Sequence, residues 1–185
     1  MLLPVRVVTV LLPALLLLGC SGGGDDDGGP APTAPSVDVA TVQEDLVGLW
    51  VGDDVTPEDT ATGECFADEL TSRATPEQLR DAGILDASYA VVPELPFLDR
   101  EGAELWVDAQ FACTDFVTES VRAQVAATKG KVDRAAYEAC LRAALTEDQL
   151  RETAVQSVMG DLGGDAVAAF SQAQLDCVEG ALPPD

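Results

Sequence analysis

The chain contains no histidine. That removes the side chain most often used as a general base, and with it Ser-His-Asp and Cys-His catalysis and most zinc sites. Lysine is almost missing as well. Lys129 and Lys131 are the only two, and Lys129-Gly130-Lys131 is the only basic cluster. A helix C-terminus, where cations are favoured, accounts for it. With 10 basic against 33 acidic residues, the net charge is -23. Such a surface repels nucleic-acid phosphates and anionic lipid, so nucleic acid is excluded as an expected partner. There is no Gly-x-Ser-x-Gly elbow, no P-loop and no dinucleotide Gly-rich fingerprint. No cofactor is expected.

Long apolar runs are also missing. Arg6 is the only charged residue before Cys20, and the apolar stretch Val7–Leu18 is about a dozen residues long. A spanning helix needs about 20. A short positive region, a short apolar core and a small-residue exit form the layout of a signal peptide. The exit, Leu17-Leu18-Gly19-Cys20, resembles the bacterial lipobox. The resemblance implies cleavage between Gly19 and Cys20 and acylation of Cys20, with palmitate as one of its acyl chains. Gly19 supplies the small side chain that the cleavage needs, and Leu18 is bulkier than the usual residue there. The plainer reading is an ordinary cleaved leader in which Cys20 is incidental. The lipobox reading places the protein on the extracytoplasmic face of the cell membrane, held there by lipid.

Residues 1–19 are thus read as signal peptide and 20–36 as lipidated cysteine plus linker. Ser21–Ser36 holds Gly, Asp, Pro, Ala, Ser and Thr and no large apolar side chain. It cannot bury enough surface to offset its ordering entropy. Fully extended at about 3.3 Å per residue, it reaches about 50 Å. The Asp25-Asp26-Asp27 run lacks the alternating spacing and distal Glu of a calcium loop, so a solvated linker is the reading. Losing Arg6 with the leader takes the charge to about -24.

Residues 37–185 suffice for one domain with a real core. They carry Cys65, Cys113, Cys140 and Cys177. Outside the cytoplasm an even number of cysteines usually pairs. A four-thiolate zinc site is the alternative, but its ligands usually come as close Cys-x-x-Cys pairs. Disulfides are therefore expected, and no metal.

The cysteines sit in an internal repeat. Cys65-Phe66-Ala67-Asp68-Glu69-Leu70 precedes Thr75-Pro76-Glu77-Gln78-Leu79-Arg80-Asp81. Cys140-Leu141-Arg142-Ala143-Ala144-Leu145 precedes Thr146-Glu147-Asp148-Gln149-Leu150-Arg151-Glu152. The first copy has four extra residues between the blocks, about one helical turn. Ala109-Gln110-Phe111-Ala112-Cys113 then matches Ala173-Gln174-Leu175-Asp176-Cys177. The domain reads as a duplication, 37–113 and 114–185. It suggests pairing within repeats, Cys65 with Cys113 and Cys140 with Cys177; two other pairings stay open.

The local chemistry is helical. Thr75 with Gln78, and Thr146 with Gln149, form capping boxes; Pro76 takes the favoured first helical position. Leu145 and Leu150 flank the second box as a staple. Gly83, Gly130, Gly160 and Gly180 follow periodic segments, where left-handed caps belong. Apolar residues recur at helical spacing: Leu46, Leu49 and Trp50; Phe116, Val117, Val121 and Val125; Val167, Phe170 and Cys177. The expected helices are 38–51, 57–72, 76–82, 98–113, 116–128, 134–144, 147–159 and 166–179. Tyr89-Ala90-Val91-Val92 is the best strand candidate, but Pro93 and Pro96 follow, and 84–97 reads as an irregular loop. The fold class is all-α: two tandem helical repeats, each closed by a disulfide.

The marks Cys65–Leu70, Ala82–Leu85, Ala112-Cys113, Cys140–Leu145 and Thr146–Arg151 resemble a group of small secreted or lipid-anchored actinobacterial proteins. Those proteins have duplicated Cys-containing helical segments. The resemblance implies fold and location and no activity.

Carboxylate catalysis needs no histidine. Glu104 and Asp108, four apart beside Trp106, share a helical face; Asp68 and Glu69 are the other candidates. In so acidic a chain, a solvated face is the better reading for both. Trp50 and Trp106 line either a groove or, more commonly for such residues, a core. Gly160–Asp165 reads as a helix–helix turn with Asp165 as N-cap rather than a cation site. The expectation is a non-enzymatic, lipid-anchored binding or scaffolding module, directed at an envelope protein or wall component. The alternative is a carboxylate hydrolase of envelope glycan. A solute-binding lipoprotein would need a larger two-lobed α/β fold.

Overall fold

A computed structural model describes residues 37–52 and 56–183. Among them are eight helices and no strand. The first half holds α1 (Val39–Val51), α2 (Pro57–Arg73), α3 (Pro76–Asp81) and α4 (Arg100–Cys113). The second holds α5 (Phe116–Ala127), α6 (Arg134–Ala144), α7 (Glu147–Val158) and α8 (Asp165–Ala181). The order repeats helix for helix. One disulfide joins the second and fourth helices of each half: Cys65 to Cys113, with Cα atoms 5.8 Å apart, and Cys140 to Cys177, at 5.6 Å.

The two sequence blocks do the same local work. Thr75 and Thr146 each accept from the backbone N–H three residues on, and Gln78 and Gln149 each reach back to the threonine N–H. Both capping boxes are complete, which satisfies two otherwise orphaned donors apiece. The four extra residues of the first copy continue α2, which runs eight residues past Cys65, whereas α6 runs four past Cys140. Inserting a whole turn keeps the same faces inward. The matching arginines each lie over a ring, although the two rings are not equivalent in the repeat. Arg80 lies over the Tyr89 ring, 5.1 Å from its centroid, and Arg151 lies over Phe111 at 4.9 Å.

Two cores result. The first gathers Leu46, Phe66, Leu70, Leu79, Trp106 and Val107, with Trp50 stacked on Phe66 at 4.5 Å. Trp106 is buried there, and Trp50 is partly so. The second gathers Val117, Val121, Tyr137, Leu141, Leu145, Leu150 and Cys177. Leu145 and Leu150 are both buried in it, as a staple requires. The halves are not closed off from each other. On α7, Leu150 faces the second core while Ala154 and Val155 belong to the first. The Leu98 N–H also donates to the Val158 carbonyl at 3.2 Å.

Two local expectations are corrected, and the irregular reading of 84–97 holds. Asp165 is not the N-cap of α8: it is the first helical residue, and Gly164 is the cap. Gly164 has no side chain to offer. Gln156 of α7 accepts instead from the N–H groups of Ala166 and Val167, at 3.2 and 3.3 Å. A Cβ at 164 would collide with that amide, so the glycine makes room for a cap supplied from another helix. Gly180 is not a left-handed cap either. Gly83, Gly130 and Gly160 have φ of 81, 74 and 75°, but Gly180 lies inside α8. That helix continues because Ala181 is buried and its carbonyl accepts from Asp133 N–H. The segment Tyr89–Val92 forms only a single bridge, Leu85 to Val91, within an irregular connection over 82–99.

Candidate functional site

A cleft lies at the junction of the halves, built mostly from the second. Its volume is about 560 Å³. One wall is the α4–α5 crossing, Phe111 to Val117; the other is the α6–α7 corner, with Arg142, Leu145, Glu147 and Leu150. The two walls follow from the local sequence. Helix α4 stops at Cys113, and Asp115 caps α5 by accepting from Thr118 N–H at 2.8 Å. The two-residue link between these helices sets Phe111 and Phe116 face to face, with centroids 5.7 Å apart. Phe116 meets the Phe170 ring edge-on at 5.5 Å. Apolar and aromatic side chains therefore share the lining with polar groups.

The rim is charged and internally paired. Arg142 reaches Asp115 at 3.0 Å and Glu138 at 2.9 Å, and also donates to Thr118 Oγ1. Its guanidinium is held protonated more firmly than usual, first by Glu138 and then by Asp115. For Asp115, partial burial opposes ionisation. The Thr118 N–H and the Arg142 guanidinium outweigh it, and the carboxyl lies below its ordinary range. The volume falls in the range of roughly 300–1,000 Å³ found for small-molecule sites.

The sequence candidates for acid–base chemistry lie elsewhere. Glu104 pairs with Arg100 at 3.1 Å, and Asp108 pairs with Arg151 across the α4–α7 contact. Glu69 pairs with Arg73 at 2.6 Å, and Asp68 accepts from Gln43 at 3.4 Å. None of these four lines the cleft. The structure does bring together all four domain cysteines as two bridges, one of which, through Cys113, borders the cleft. Gly19 and Cys20 lie outside the described residues. Among the described residues no helix is long and apolar enough to cross a membrane, and no group of three metal-ligating side chains occurs.

The cleft itself was not visible in the sequence. Its only trace there was the brevity of the link between Cys113 and Phe116. No family model, curated protein or solved structure matches the chain.

Proposed function

We propose that the protein is a lipid-anchored binding module of the cell envelope, which holds its partner in the cleft between its halves. The cleft carries the reading. It joins the aromatic pair Phe111 and Phe116 to a rim on which Arg142 is paired with Asp115 and Glu138, with Glu147 as the rim's further charge. Arg142 is thereby held in place at the rim, and Glu147 offers a negative charge to a partner. The anchor rests on the lipobox-like Leu17-Leu18-Gly19-Cys20 and on the apolar-poor linker behind it. That linker would lift the domain clear of the headgroups.

Two experiments test the two parts. Cys20→Ser should shift the protein out of the lipid-modified membrane fraction; unchanged retention would overturn the anchor. Envelope extract passed over the immobilised chain should yield a specific partner that is lost on Glu147→Arg. Retention of nothing specific would overturn the binding reading. A carboxylate hydrolase is the competing proposal. Release of reducing sugar from envelope glycan by the purified chain would favour it over binding.

A further inference from the structure

The feature that breaks the duplication is the link between the third and fourth helices. In the second half it is six residues, 159–164; in the first it is eighteen, 82–99. The long link presents Phe97, which is 78% exposed, although phenylalanine is normally buried. Leu162 in the opposing short link is 69% exposed. The ring of Phe97 does not hang free. A Cβ built at Gly160 would lie 2.6 Å from its Cδ1, so the ring rests directly on that glycine. Its neighbours are fixed on both sides. Leu98 is buried, and its N–H bonds to Val158; Pro96 packs over Gly83. The aromatic is thus presented in advance, which lowers the entropy cost of binding through it.

The surrounding charges have one sign. From 93 to 99 and from 159 to 165, the charged residues are Glu94, Asp99, Asp161 and Asp165, all exposed. Arg100, the nearest cation in sequence, is held by Glu104 and Glu152. We infer that Phe97 and Leu162 form a docking point for a basic protein segment, one with an apolar side chain flanked by Lys or Arg. Charge complementarity selects that occupant. A second copy would bring the same acidic rim, and anionic lipid would be repelled likewise. The linker 21–36 has no large apolar side chain to offer. The surface is separate from the cleft, so either assignment can fail alone.

The test uses the full chain and short dye-labelled peptides, read by fluorescence anisotropy. The first peptide has a leucine centre with lysine flanks, the second a serine centre with lysine flanks, and the third a leucine centre with glutamate flanks. The first should bind most tightly. Phe97→Ser should weaken it by about tenfold or more, the scale of losing one aromatic anchor. The same variant should leave the melting temperature unchanged, because the side chain is exposed. Equal binding of the first two peptides, or equal binding to parent and variant, would show that net charge alone attracts them and would overturn the proposal. So would no binding by the first peptide. Concentration-dependent dimerisation that disappears in Phe97→Ser would assign the surface to a second copy and overturn it as well.

Discussion

Asp115 performs two tasks from one carboxylate. It caps α5 through Thr118 N–H, and it holds Arg142 at the rim of the cleft. The pair with Arg142 needs the ionised form and the cap is strengthened by it, and its carboxyl is accordingly held below the ordinary value, as is that of Asp86, which accepts from Ser88 and Ala90. A free carboxyl titrates near 4. Below that point the unfolded chain takes up protons before the native one does. The stability these groups contribute is therefore present above about pH 4 and is lost as pH falls through their folded values. Asp115→Asn keeps a cap and removes the charge, so its melting temperature should fall less steeply from pH 4 to pH 3 than the parent's. An identical slope would remove Asp115 from the acid transition. Tyr137 poses the opposite case. Its side chain is fully buried in the second core, and its hydroxyl closes no hydrogen bond of ordinary geometry, although Gln174 faces it. Burial pushes the phenol up. An unsatisfied buried hydroxyl costs about 1–3 kcal/mol. Tyr137→Phe should melt at or above the parent temperature. A fall of several degrees would mean that the hydroxyl does find a partner.

Among the elements, α7 is the one on which both cores depend. Its N-terminus is set by Thr146, its Leu150 enters the second core, and its Ala154 and Val155 enter the first. Its Gln156 then caps α8. Thr146→Ala removes the capping box and should cost about 1 kcal/mol, or about 2–4 °C in a domain of this size. Leu150→Ala leaves a cavity and should cost about 2–5 kcal/mol. Calorimetry should show each loss as a shift of one shared transition. Two separated transitions in either variant would mean that α7 does not couple the cores. The sequence disclosed the start of this helix through Thr146 and Gln149 but not its double allegiance. The staple placed Leu145 and Leu150 together because those contacts span five residues. The contact of Val155 with the first core spans half the domain, and no periodicity marks it.

At the scale of the whole molecule, the bridges tie the second and fourth helix of each half. Each closes a loop of several dozen residues and should contribute about 4 kcal/mol by restricting the unfolded chain. Against a domain stability of about 5–15 kcal/mol that is a large share. Reduction should therefore lower the melting temperature sharply, and a melt unchanged by reductant would show that the bridges constrain little. The ion pairs between α4 and α7, Asp108–Arg151 and Arg100–Glu152, are exposed. They add specificity of docking more than energy.

Most of the architecture is local in origin, and the sequence by itself determined it. The starts of α3 and α7 lie in the capping boxes of Thr75 and Thr146. The turns lie in Gly83, Gly130 and Gly160. The cysteine spacing and the repeated blocks disclosed two like halves. These features depend on neighbours within one or two turns, where residue type alone fixes the hydrogen bond or the backbone angle. Only the tertiary structure decided that Gln156 caps a different helix, that Gly180 continues one, and that Phe97 rests on Gly160 in the open. It also decided that α7 serves both cores and that a cleft remains where they meet. Each of those depends on which surfaces are brought together across long stretches of chain, and the summed packing of both halves settles that.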